Sequence, residues 1–321
     1  ILIYFDKNGF PKSRNTEGVF ISLQYLILIR EWLKESHESI PEFLDNIILK
    51  CGNCYSFLSN SNKKFPLFNG ANEIDHSKYD LFLKNFKYKF HDETKQNGGY
   101  VKFKEKKLEF FFDVGNPPSS KFSNNFQAGC LSFELISNGN KIICNSGYGK
   151  YLNSKLSSLS RSTAAHSTLY INNTSSSLFQ KNNIIKKVYG NTLIESHKIS
   201  NINLKEDNNS NMVSASHNGY EKRYGYIHNR TIKILKHQSK ILGTDELEKT
   251  KKYSKKISYF IRFHPYPGTK ITKTKGEKSI LMSLSNGEGW ILKSNSSNLY
   301  IEKNIFFGKK KIVSNECIFI T

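Results

Sequence analysis

The hydrophobic period of this chain changes once, and that change limits the folds open to it. In residues 17–36 the apolar positions Val19, Phe20, Leu23, Leu26, Ile27 and Leu33 recur at helical spacing. Ser39 and Pro41 mark a second helix start, and Leu44, Ile47, Ile48, Cys51, Tyr55 and Leu58 continue the pattern. Two helices with a short link predict an αα-hairpin belonging to a larger helical array. From about residue 97 the period becomes two, the spacing of half-buried strands. Tyr100–Lys104 with Leu108–Val114 predicts a hairpin. A strand through Leu131, Phe133 and Leu135, with Asn138-Gly139 leading into Lys141–Cys144, predicts another. Thr168–Ile171, Tyr226–Leu235, Ile257–Phe263, and Leu281–Leu292 around Asn286-Gly287 extend it. The expected architecture is α+β: a short helical segment, residues 1–90, then a large antiparallel β-sandwich, residues 91–321. The boundary is soft, because residues 59–96 are mostly polar, and KEDNNSNM at 205–212 reads as a loop.

Composition narrows the class. Hydrophobic residues make up 37% of the 321, and the 23 phenylalanines favour a globular core. The longest apolar-rich run, Val19 to Ile29, is interrupted by Ser22 and Gln24, short of the about 18 residues a spanning helix needs. A formal charge of +21 predicts attraction to polyanions, although lysines scattered through an Asn-, Ile- and Ser-rich chain also fit a general compositional drift. Charge alone suggests nucleic acid, but no recognised module or basic–aromatic stripe accompanies it, so no nucleic-acid partner is expected. Cys51-Gly52-Asn53-Cys54 has no second pair to complete a zinc ribbon and reads as packing. The first residue is Ile1, and the chain reads as a piece whose front lies elsewhere.

Four stretches gather polar chemistry at strand ends or beside glycines. They are RSTAAHST with Arg161 and His166, NNFQAGC with Asn125 and Gln127, SHNGY with His217 and Tyr220, and RFHP with Arg262 and His264. A single histidine in such a setting is as well suited to structural hydrogen bonding as to catalysis. Gly219 would also let the SHNGY stretch shape a strand corner.

The order and wording of these stretches carry more. AGCLSFEL, NSGYGKY, RSTAAHSTL with TSS soon after, SHNGYEKRYGYIHNRTI, IRFHPYP and NGEGW follow one another. They resemble the C-terminal half of the heparinase II/III family. DKNGFPKSRNTEG, two helices and PLFNGANE look like the end of that family's α/α-toroid domain.

The resemblance implies a periplasmic or secreted polysaccharide lyase that cleaves uronic-acid-containing chains by β-elimination. That reaction needs neutralisation of the uronate carboxylate, a base for the C5 proton and an acid for the leaving oxygen. It implies His166, His217 and Tyr220 as the core of the site, with Asn218 where the family's H-D-G-Y motif has aspartate. Asn125 falls near a substrate-contacting histidine of the family, and Gln127 or Cys130 near further histidines. Arg14, Asn15 and Asn69 are the toroid-end residues nearest the cleft, with loop capping as the alternative role. Arg161 completes the substrate-binding set. In some members the histidine at the place of His166 ligates a structural zinc. Here Asn145 replaces the aspartate of a D-x-G motif, and neutral amides are poor zinc ligands, so no cofactor is expected. The alternative function is glycan binding without turnover. The sequence sets no oligomeric state.

Overall fold

The computed structural model describes residues 2–59, 65–74, 76–250, 256–295 and 297–321. Helices α1 (Thr16–Glu35) and α2 (Glu42–Leu58) form the expected antiparallel pair. The side chain of Asn15 caps α1 by accepting the Gly18 N–H at 2.9 Å. The polar bridge also contains a helix, α3 (His76–Asn85). Tyr79 and Leu83 are its buried positions, too few for a clear periodic signal.

The first strands are β1 (Gln96–Asn97), β2 (Tyr100–Glu105), β3 (Leu108–Asp113), β4 (Phe133–Ser137), β5 (Asn140–Cys144) and β6 (Leu169–Ile171). A small excursion holds β7 (Leu178–Phe179) and β8 (Leu193–Glu195). Then come β9 (Ile199–Glu206), β10 (Ser210–Tyr220), β11 (Tyr226–Leu235) and β12 (Lys240–Lys249). The chain ends with β13 (Tyr259–Pro265), β14 (Lys270–Lys273), β15 (Ser279–Ser283), β16 (Gly289–Lys293), β17 (Leu299–Phe306) and β18 (Val313–Ile320). The large sheet runs β1-β2-β3-β4-β5-β13-β18-β17, with β6 also on β13. A second sheet, β12-β11-β10-β9, faces it, and every recorded pairing is antiparallel.

Strand β13 bridges two neighbours on one edge. Its first half pairs with β6, as Ile261 opposite Leu169, and its second half with β5, as His264 opposite Cys144. The stretch 205–212, expected as a loop, is mostly strand. Only its centre turns, where Asp207 Oδ1 accepts the N–H groups of Asn209 and Ser210 at 2.7 Å each.

Strand β3 is buried on both faces, and this sets the layers. Phe110 and Phe112 point into the sandwich core with Val101, Phe133, Leu135, Val213 and Ile232. Phe111 points the other way, into the helical core with Tyr100, Ile136 and the apolar faces of α1 and α2. Period-two alternation thus feeds two cores from one strand. Each fully buried Phe contributes about 1.5–3 kcal/mol relative to exposure. Cys51 and Cys54 are buried in or beside this helical core as free thiols. Among the described residues, no helix is long and apolar enough to cross a membrane.

Candidate functional site

The helical segment meets the sandwich along a seam clamped by two buried ion pairs. Arg14, with a left-handed backbone (φ 59°), sends its guanidinium into the turn of the first hairpin. It donates to Gly98 O (3.0 Å), Gly115 O (3.0 Å), Gly99 O (3.1 Å) and Asp113 Oδ1 (2.5 Å). Burial opposes the Arg14 charge, but Asp113 and Tyr100 outweigh it and hold the pKa above its ordinary value, while burial pushes the Asp113 pKa up against the pull of Arg14. Asn69, also left-handed (φ 54°), donates to Tyr100 Oη at 2.5 Å, and Tyr100 donates to Arg14 O at 2.5 Å. The second clamp is Glu134 with Lys141 at 2.9 Å. Glu134 also accepts the N–H groups of Leu67 (2.9 Å) and Asn145 (3.0 Å), and Lys141 donates to Phe65 O at 2.6 Å.

Gln127 braces the same seam. Its Oε1 accepts the Gly70 N–H at 2.8 Å, and its Nε2 donates to Gly147 O (3.0 Å) and Ser160 O (2.6 Å). Gly70 needs to be glycine: its φ is +94°, and a Cβ would lie 2.6 Å from Asn125 Cβ. Asn125 is half-buried and Asn124 exposed. Among the described residues neither side-chain amide has a protein hydrogen-bond partner. Arg161 is buried, and among the described residues no carboxylate pairs with it. It donates to Phe126 O (2.8 Å), Asn191 O (2.6 Å) and Ser123 O (2.9 Å) and stacks on Phe179, and burial lowers its pKa to about 10.

The three residues implied as the core of the site are buried inside the protein. His166, His217 and Tyr220 are 1%, 0% and 0% exposed. His166 Nδ1 faces Ser162 O at 2.8 Å, so the ring proton sits there and Nε2 is left a bare, buried lone pair. Its ring lies against Gly129, whose Cβ would come 2.5 Å from Cδ2. Burial lowers the His166 pKa to about 4. The missing Cβ of Gly129 and the small residues beside it make room for this ring in the interior.

His217 belongs to a buried polar line. Gly219 N–H donates to its Nδ1 at 3.1 Å, which puts the proton on Nε2, facing His228 Nδ1 at 3.1 Å. His228 Nε2 meets Asp245 Oδ1 at 2.6 Å, and Arg230 grips the same carboxylate at 2.7 and 3.0 Å. Burial and the neighbouring positive groups hold the His217 pKa well below its ordinary value. Tyr220 packs on His217, ring centroids 5.3 Å apart, and donates to Leu169 O at 3.1 Å. His217 and Tyr220 are thus brought together. His166 joins them through the main-chain segment 162–169 and not by side-chain contact. Asp113, Tyr100 and Asp245, which complete these networks, lie in ordinary strands and carry no motif.

Two surface cavities flank these networks. One, of about 350 Å³, is lined by Glu195, Ser196, Asn218, Gly219, Glu221 and Lys222, and the Gly219 N–H in its lining donates to His217 Nδ1. The other, of about 490 Å³, opens between the Asp6–Arg14 loop and the rim at 115–122. Neither has His166, His217 or Tyr220 in its wall.

Residues 92–319 match the family model described as heparinase II/III-like, C-terminal. The chain belongs to the heparinase II/III family. Among solved structures, heparinase III superposes with a TM-score of 0.72 at 12% identity, covering 99% of this chain and 52% of that one. A mutant of the heparan sulfate lyase HepC from Pedobacter heparinus gives 0.75 at 13% identity, covering 99% and 51%. This heparinase II/III family chain therefore spans about half the length of those proteins, and the likeness is one of fold. No curated protein matches it in sequence.

The structural zinc that the family resemblance raises does not fit the donors present. His166 Nε2 is free to ligate, but Gln127 has both amide atoms committed and Asn145 Oδ1 accepts the Ser167 N–H at 3.2 Å. Among the described residues no three His, Cys, Asp or Glu side chains gather around one point. A single imidazole is too few ligands for zinc.

Proposed function

We propose that this chain forms part of a polysaccharide lyase-like protein that cleaves uronic-acid-containing anionic polysaccharide by β-elimination, with the substrate held along the seam. The observation that carries this reading is the clamped seam itself. Arg14–Asp113, Glu134–Lys141 and Gln127 hold the helical end and the sandwich in one geometry, and there Asn124 and Asn125 present amides without partners among the described residues. Such amides can hydrogen-bond a uronate carboxylate and stabilise the charge that develops when the C5 proton leaves. Family membership and the shared fold support the reaction class. The net charge of +21 supports an anionic substrate.

Asn15 stands next to this edge, capping α1 and close to Gly70. His166 has the one bare imidazole lone pair of the set and is neutral at physiological pH, as a base must be. It would meet a substrate only if the segment around Gly129 opened. A second reading, glycan binding without turnover, is favoured by the burial of His166, His217 and Tyr220.

Incubation with heparan sulfate, hyaluronan, alginate and pectin separates the two. Elimination leaves a conjugated double bond and an ultraviolet absorbance that rises with time. Substrate-dependent absorbance lost in Asn125→Ala supports the lyase. Saturable binding with no absorbance change on any substrate supports the second reading.

A further inference from the structure

Between β7 and β8 the chain forms a short helix, Asn183–Tyr189, that turns its apolar side outward. At about 100° per residue, Ile184, Val188, Ile185 and Tyr189 fall within an arc of about 140°, and Lys186 and Lys187 take the remaining side. In a helix packed on a core that arc faces the interior. Here Ile184 is 76%, Val188 70%, Tyr189 68% and Ile185 39% exposed. The helix is not a loose end. Asn182 caps it by accepting the N–H groups of Ile184 (2.8 Å) and Ile185 (3.2 Å), and Gly190, at φ 76°, closes it. Its root is bonded to the sandwich. Arg161 stacks on Phe179 of β7 and donates to Asn191 O at 2.6 Å, and the Leu193 N–H of β8 donates to Ser123 Oγ at 2.9 Å. An exposed apolar face held in place in this way marks an interaction surface.

Charge narrows the occupant. From Gln180 to Ile194 the chain has Lys181, Lys186 and Lys187 and no Asp or Glu. Among the described residues none of these lysines pairs with a carboxylate. A second copy seated on the same face would bring lysine against lysine, between chains that each carry a formal charge of +21. The cores of protein interfaces are also depleted in lysine. An anionic bilayer surface matches both sides of the helix. Its headgroup phosphates take the ammonium groups, and Ile184, Ile185 and Val188 reach the acyl boundary. Tyr189 belongs at that depth, where a ring has one end apolar and the other wet. We infer that this helix docks the protein on anionic phospholipid, lying in the headgroup plane without crossing the bilayer. The apolar arc and the lysines act together, since either signal alone gives only marginal attachment. The inference is independent of the lyase reading, and a failure of one leaves the other standing.

The test is co-sedimentation of the 321-residue protein at near-physiological salt with two kinds of vesicle, phosphatidylcholine alone and phosphatidylcholine mixed with an equal part of phosphatidylglycerol. The expected result is binding to the mixed vesicles and not to phosphatidylcholine alone. Ile184→Ser/Val188→Ser keeps every charge, and Lys186→Ala/Lys187→Ala keeps the apolar arc; each should weaken binding about tenfold or more. Lys270→Ala/Lys275→Ala removes the same charge from the β14–β15 hairpin and should change binding less than about twofold. Tyr189→Trp should add a fluorescence emission that moves to the blue on mixed vesicles, as a ring entering the interface does. All these positions are exposed, or half-buried for Lys186, and matched melting curves confirm folding. No binding to mixed vesicles, an equal loss from the two lysine pairs, unchanged binding in the Ile184/Val188 variant or an unmoved Tyr189→Trp emission each overturns the inference. A dimer in sedimentation velocity that Ile184→Ser/Val188→Ser dissolves would assign the face to a second copy and overturn it as well.

Discussion

Arg14 shows how much one side chain can decide. Its guanidinium satisfies the carbonyls of Gly98 and Gly99 ahead of β2, that of Gly115 after β3, and the buried Asp113 carboxylate at the end of β3, from a loop in the helical segment. Arg14→Ala strands Asp113 in the interior, and the loss of stability expected in urea denaturation is about 3–5 kcal/mol. Arg14→Lys should recover little of it, because one ammonium cannot span the fork that the guanidinium fills. A variant within about 1 kcal/mol of wild type would show the clamp to be dispensable. Gly115 reports on the same contact, since a Cβ there would meet the Arg14 guanidinium carbon at 2.4 Å. The sequence singles out Arg14 through its place in DKNGFPKSRNTEG. It cannot reveal that the partner is Asp113, 99 positions away in a strand with no motif.

Among the elements, the second sheet has the most distinctive interior. Strands β10 and β11 bring His217 opposite His228, and β12 adds Asp245 behind them. His197 lies 5.7 Å from His217, ring to ring. A buried imidazole stays neutral while the unfolded chain takes up a proton below about pH 6.5. Stability is therefore complete above that pH and falls as pH drops toward the folded-state values. Burial sets these to about 4 for His166 and about 3 for His197 and His264. Each such histidine removes up to about 1.4 kcal/mol per pH unit. Burial alone would raise the Asp245 pKa, but Arg230 and His228 hold it below the carboxylate range. Its contribution is lost only at pH below about 3.8. Urea midpoints measured from pH 8 to pH 4 should thus hold steady and then fall steeply below about 6.5, with net proton uptake on unfolding. A flat profile to pH 5 would contradict the burial of these rings.

The strands that carry this cluster were only partly legible. Strand β11 follows a strict alternation from Tyr226 to Leu235 and is plain in sequence. Strand β9 has one buried residue, Ile199, and its other apolar residues are the exposed Ile202 and the half-buried Leu204, so no period-two pattern announces it. The site was less legible than the fold, because a histidine that hydrogen-bonds inside a sheet and one that lines a cleft are spelled the same way. Only the third dimension separates Gly129 as packing surface for His166 from Gly129 as an opening for a ligand.

At the scale of the molecule, the large sheet is a shared wall between two cores. Phe111, Tyr100 and Ile136 belong to the helical side, and Phe110, Val101 and Leu135 to the sandwich side. The two parts should therefore not be separable. Residues 91–321 produced alone would expose one aromatic face and leave Asp113 without Arg14. That piece should melt well below the 321-residue chain or fail to stay in solution, and equal melting temperatures would contradict the shared wall. Because the helical end is fixed in this way, the orientation of the Asn124–Asn125 edge is inherited from the whole core rather than set by a local loop.

The line from Gly219 through His217 and His228 to Asp245 fixes a ring proton on each imidazole, sealed from solvent. Protons held so tightly resonate far downfield and exchange slowly in nuclear magnetic resonance. The molecule thus carries an intrinsic spectroscopic reporter, readable without labelling any site, that would signal when the two sheets begin to part.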